Sequence, residues 1–130
     1  ALSNIIFQDG DQKKAMFHLE QAYRMDSSLI SVMNNLAWML AHSEQPDLER
    51  ALELANAAVS RVPKDAQCRD TLGTILMKLG RNKEAIPHLE LALPGVSNKR
   101  TVHQKLSATY KSLGMDELSQ IHAKASLGPK

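Results

Sequence analysis

The chain has 130 residues, 43% of them hydrophobic and 23% charged, which is enough for one folded domain and too apolar for disorder. Sixteen basic against fourteen acidic residues leave a net charge of +2, too small an excess to point to nucleic acid. No apolar run approaches the roughly 20 residues that cross a bilayer, and no basic stretch precedes an apolar one as in a signal peptide. The single cysteine, Cys68, excludes an internal disulfide and reads as a small residue near a helix start. The chain opens on Ala1 without an initiator Met, so the expectation is a fragment of a longer protein, and its localisation is not bounded by this sequence.

Apolar residues recurring at three and four predict seven or eight short amphipathic helices, over 1–8, 12–25, 29–42, 48–61, 66–79, 83–93, 99–112 and 116–126. The second carries Ala15, Met16, Leu19, Ala22 and Tyr23; the third Met33, Leu36, Ala37 and Leu40. The fourth carries Ala51, Leu52, Ala55, Ala58 and Val59; the sixth Ala85, Ile86, Leu89, Ala92 and Leu93. Asp11, Ser28, Asp47, Asp65, Asn82, Asn98 and Asp116 are expected N-caps, since their oxygens can accept from first-turn N–H groups. Gly10, Gly80 and Gly114 fall at equivalent breaks, where a positive φ lets the chain reverse. His42-Ser43-Glu44-Gln45-Pro46 replaces that glycine once and carries two extra residues. Pro63 follows the fourth helix, Pro94-Gly95 ends the sixth, and Pro87 inside the sixth predicts a local bend and no break.

The elements repeat. Leu2, Leu36, Leu72 and Leu106 recur at intervals of 34, 36 and 34 residues. One residue later stand Ser3, Ala37, Gly73 and Ser107, all small; four residues later stand Ile6, Leu40, Leu76 and Tyr110, all large. A fixed period near 34 marks a helical repeat array. A helix pair cannot bury its apolar side alone, so pairs stack. Small residues at the crossing let the two helices of a pair come close, and a large residue at Gly73 or Ala85 would overpack it.

These residues resemble the tetratricopeptide repeat family, in bacterial wording. Met33, Leu36, Ala37 and Leu40 fit its first helix in one repeat, and Leu72, Gly73 and Leu76 in the next. Ala51, Ala55, Ala58 and Pro63 fit its second helix, as do Ala85, Leu89 and Ala92. The last repeat departs from the pattern, with Ser107, Ser119 and Ser126 where Gly or Ala is usual. The resemblance implies an all-α fold: an α-solenoid of antiparallel helix pairs, about three and a half repeats, forming a right-handed superhelix. It implies one domain over 1–130, with a truncated repeat at 1–28, repeats at 29–63, 64–97 and 98–126, and a short tail at 127–130.

The same resemblance places first helices on a concave face and second helices outside. Asn4 and Phe7; Asn34, Trp38 and His42; Asp70, Thr74, Met77 and Lys78; and Gln104, Lys105, Ala108 and Lys111 are then expected to point inward. Asn can both donate to and accept from peptide backbone, and Lys105 and Lys111 suit a carboxylate or acidic segment. Trp38, the one tryptophan, reads either as a stacking platform for a ligand or as a filler between neighbouring first helices. Asn4 and Asn35 fit the two Asn positions of the family's carboxylate clamp, yet its basic positions fall on Gln67 and Thr71, which argues against a clamp.

No catalytic residue, cofactor or metal is expected. His18, His88 and His122 hold the same position in their respective second helices, about 10 Å or more apart, too far to share an ion, and are expected on the outer face, partly exposed. Acid pairs such as Asp9/Asp11 and Asp116/Glu117 suit helix starts. The leading expectation is a non-catalytic interaction module holding a protein or peptide. A recognition or regulatory segment of a larger enzyme or envelope-export assembly is the alternative. A homo-oligomer built by stacking exposed repeat ends is a third.

Overall fold

The computed structural model describes residues 9–128, which form helices joined by short turns, with no strand among the described residues. They are α1 (Asp9–Met25), α2 (Ile30–His42), α3 (Leu48–Arg61), α4 (Ala66–Lys78), α5 (Asn82–Ala92), a 3-10 turn (Leu93–Gly95), α6 (Lys99–Ser112) and α7 (Asp116–Ser126). The expected helix over 1–8, with Leu2, Asn4, Ile6 and Phe7, lies outside the described residues. Each helix packs on the next, and α2, α4 and α6 also touch in series. That is the contact pattern of an all-α solenoid of helix pairs.

Three expected caps close as read. Asp47 Oδ1 accepts from the Arg50 N–H at 3.1 Å, Asp65 Oδ1 from the Cys68 N–H at 3.0 Å, and Asn98 Oδ1 from the Thr101 N–H at 3.3 Å. Four others fail. Gly10 and Asp11 lie inside α1, so no break falls there; a single Gly costs a helix only about 1 kcal/mol. Ser28 gives both its N–H and its hydroxyl to the Asp26 carboxylate, a stronger acceptor than any use it would have as a cap, and Leu29 holds the cap position. Asn82 and Asp116 stand one residue too late, and the reason is the turn before them. Gly80 and Gly114 take φ +76, and the next N–H reaches back five residues, Arg81 to the Leu76 carbonyl at 2.8 Å and Met115 to Tyr110 at 2.9 Å. The residue that closes one helix therefore caps the next, and Arg81 and Met115 offer no oxygen. Helix α5 runs unbroken through Pro87.

The core is a continuous stack of Met33, Leu36, Leu40, Leu54, Leu72, Ile75, Leu76, Leu89, Val102 and Leu106, interleaved with buried alanines. The crossing of α4 and α5 is tight. A Cβ added at Gly73 would stand 2.8 Å from the Leu89 side chain and 3.4 Å from the Ala85 carbonyl oxygen. In the last repeat the equivalent crossing is polar but satisfied: Ser119 Oγ donates to the Ser107 carbonyl at 2.8 Å, with the two hydroxyls 3.1 Å apart. Those serines thus keep the close approach that Gly and Ala provide elsewhere. Cys68 is buried beside Asp65; burial, then the carboxylate, pushes its thiol up to about 11, so it is held as an unreactive thiol.

Helix α7 is docked differently from the others. Its buried residues are Ser119, His122 and Ser126, while Ile121 and Leu127 turn outward at 59% and 62% exposure. The expectation of a partly exposed His122 is therefore corrected: it is 8% exposed, drawn in by the hydrogen-bonding groups around it. His18 is exposed and His88 half-buried.

Candidate functional site

Burial of Met33, Leu36, Ala37, Leu40 and Ala41 fixes how α2 is rotated. Asn34, Trp38 and His42, spaced by four, consequently form one row along its side. Trp38 is 48% exposed and does not fill the space between helices. Its indole lies on the His42 imidazole, with ring centroids 4.0 Å apart and planes at 16°. His42 Nδ1 is 2.8 Å from the Trp38 carbonyl oxygen, so Nδ1–H donates there, and Nε2 has no hydrogen-bond partner among the described residues.

Helices α4 and α6 add charge beside that pair. Burial holds the His42 imidazole below its ordinary value; the Trp38 carbonyl acts the other way, and Lys78 and Lys105 depress it further. Cations from two other helices thus bear on the stacked rings. Lys105 Nζ donates to Asp70 Oδ1 at 2.9 Å, and Thr74 Oγ1 to the same oxygen at 3.5 Å. Lys105, expected to suit a ligand carboxylate, is thus already paired with Asp70. Lys78 and Lys111 are exposed and form no ion pair among the described residues. Asn34 Oδ1 is buried and has no hydrogen-bond partner among the described residues.

The structure gathers Asn34, Trp38, His42, Asp70, Thr74, Lys78 and Lys105 on the face of α2, α4 and α6. Met77 is half-buried against the core, and Asn35, Gln104, Ala108 and Lys111 are exposed without side-chain hydrogen bonds among the described residues. Of the two clamp positions, Gln67 is exposed and Thr71 is buried. Asn4 and Phe7 lie outside the described residues. A shallow cleft of about 280 Å³ also lies between α1 and the long turn after α2, lined by Gln12, Lys13, Met16, Ser43, Glu44 and Gln45. It contains none of the face residues.

The sequence pattern of the tetratricopeptide repeat family matches residues 1–102. The chain belongs to that family. The match ends early in α6, where the serine-substituted repeat begins. Among solved structures, MamA superposes with a TM-score of 0.79 at 17% identity, over 92% of this chain and 68% of that one. A MamA structure designated AMB-1 gives 0.74 at 23%, over 91% and 66%. One designated MSR-1 gives 0.74 at 24%, over 91% and 67%. At these identities the likeness is one of fold, and the chain spans about two thirds of each MamA chain. No curated protein matches it. Its tetratricopeptide repeats make it, in general terms, a protein-interaction scaffold.

The tetratricopeptide architecture also joins residues that the linear reading kept apart. His103 Nδ1 of α6 is 2.9 Å from His122 Nδ1 of α7. Glu90 of α5 accepts from the Tyr110 hydroxyl at 2.7 Å, and the same oxygen lies 3.6 Å from His122 Nε2. Tyr110 and His122 stack with centroids 5.6 Å apart. One repeat earlier, Arg69 and His88 occupy the equivalent places, 2.8 Å apart. Both pairs are 19 residues apart, and the repeat period relates one pair to the other. Likewise Asp70 and Lys105 are separated by one period plus one, the spacing that sets neighbouring first helices side by side. Among the described residues no three His, Cys, Asp or Glu side chains are set to hold a metal, and no helix is long and apolar enough to cross a membrane.

Proposed function

We propose that this chain is a non-catalytic scaffold that holds a peptide or protein segment along the face of α2, α4 and α6. The observation that carries the reading is Trp38. The only tryptophan is half-exposed, rigidly stacked on His42 and flanked by polar groups from three successive repeats. A large, preordered aromatic surface costs little conformational entropy on binding and serves well as an anchor. Asn35, Gln104 and Lys111 would extend the contact along the same helices, and Asn4 and Phe7 would continue it in the preceding repeat.

The test is amide chemical-shift mapping while purified candidate partners are added to the wild-type chain and to Trp38→Ala. Shifts grouped on α2, α4 and α6, and lost in the variant, are expected. Shifts confined to α3, α5 and the outer side of α7 would overturn the reading. Self-association is a second reading, favoured by Leu113, Met115, Ile121 and Leu127, all exposed around α7. Sedimentation across a concentration series decides it: a constant monomer mass removes it. A role as the recognition segment of a larger enzyme or assembly is compatible with the same face.

A further inference from the structure

We infer that the segment held on this face is acidic, with an apolar side chain resting on Trp38 and a carboxylate set between His42 and Lys78. The inference rests on the scaffold reading above and adds the chemistry of the occupant.

Charge complementarity carries it. The groups bearing on the Trp38–His42 stack are Lys78 from α4 and Lys105 from α6, and the acid of the cluster, Asp70, is already bound by Lys105 and Thr74. One positive charge, Lys78, is therefore left uncompensated beside the rings, with Lys111 further along α6. A basic segment would meet these cations, and among the described residues the acid of the cluster, Asp70, is already taken. A neutral one would leave them unanswered. An acidic one answers Lys78 directly, and His42 Nε2 becomes a charged donor if it takes a proton.

The second part of the occupant follows from Trp38. Nearly half of the indole is open to water, and covering it with an apolar side chain removes that area from solvent. An extended segment that places an apolar residue beside an acidic one meets both demands.

Proton linkage follows with a definite sign. Burial, and after it Lys78 and Lys105, disfavour the charged His42, the Trp38 carbonyl acts the other way, and a bound carboxylate favours the charged form. Binding therefore takes up a proton, and affinity rises as pH falls from 7.5 to 5.5. Asp70, held by Lys105, is the acid facing the same cluster.

Three twelve-residue peptides test this, each with one central Leu and otherwise Gly and Ser interspersed with four Glu, four Gln or four Lys. Amide shifts of the full chain are recorded with each peptide at pH 7.5 and 5.5. The Glu peptide alone is expected to move α2, α4 and α6 resonances. It should bind several-fold more tightly at pH 5.5, and about tenfold more weakly at tenfold higher salt. Lys78→Glu should abolish the response while leaving the spectrum of the free protein folded, and His42→Phe, which keeps a ring against Trp38 but offers no proton, should weaken binding and remove the gain at pH 5.5. If the Gln or Lys peptide moves the same face equally, the acidic inference falls and the scaffold reading stands. If none of the three moves that face, both fall.

Discussion

Gly73 shows how little room a single position leaves. A methyl group there would stand 2.8 Å from Leu89, which is itself fully buried and has no space to turn away. Exchanging Gly for a better helix former gains at most about 1 kcal/mol, whereas overpacking a closed crossing costs about 1–3 kcal/mol. The packing term wins for a large side chain. Gly73→Leu and Ala85→Leu are each expected to lower the unfolding free energy by about 1–3 kcal/mol in urea titrations followed by helicity. Unchanged midpoints would mean that α4 and α5 do not meet where these residues stand. Gly80 differs in kind: open space surrounds it, and what it supplies is the φ of +76.

Helix α7 shows that an element can be attached by directional bonds more than by an oily stripe. At least one of His103 and His122 must be neutral for their Nδ1 atoms to share a proton at 2.9 Å. Burial, then His122, holds His103 below the ordinary imidazole value, while Glu90 opposes and Lys99 adds. A depressed value means that the folded state prefers neutral His103. Its contribution is present above about pH 6.5 and is lost as pH falls through the folded value. His88, held low by burial and then Arg69, and His42 act with the same sign. Hydrogen exchange of α7 amides, corrected for intrinsic rates, is expected to speed up between pH 7.5 and 5.5 more than that of α3 amides. In His103→Phe the excess should disappear; equal acceleration in both helices would refute the account. Pairs such as His103 and His122 were hidden in the sequence because they depend on how one helix is rotated against another. The caps at Asp47, Asp65 and Asn98 were legible because they need only their own first turn. Asn82 and Asp116 misled because a backbone turn had already assigned the capping place to the residue before them.

Across the molecule, stability is shared between neighbours, because each repeat touches only those beside it. The fully buried residues crowd into α2 to α6. Native-state exchange is therefore expected to be slowest in α4 and α5 and fastest in α1 and α7. A uniform rate across all helices would indicate all-or-none opening. The spacing of Leu36, Leu72 and Leu106 made the stack readable from the chain, since a period forces equivalent residues into equivalent surroundings. The row Asn34, Trp38 and His42 was readable for the same reason. The capture of Lys105 by Asp70 was harder to see, because it depends on two side chains meeting across neighbouring repeats. Trp38 has a consequence for the optics of the whole chain. Its indole is already half wet in the native state, so denaturation shifts the wavelength of its emission little, and that wavelength is a poor gauge of folding. The same indole lies against an imidazole whose protonation would quench it, which makes its brightness a gauge of acidity and occupancy at that one spot.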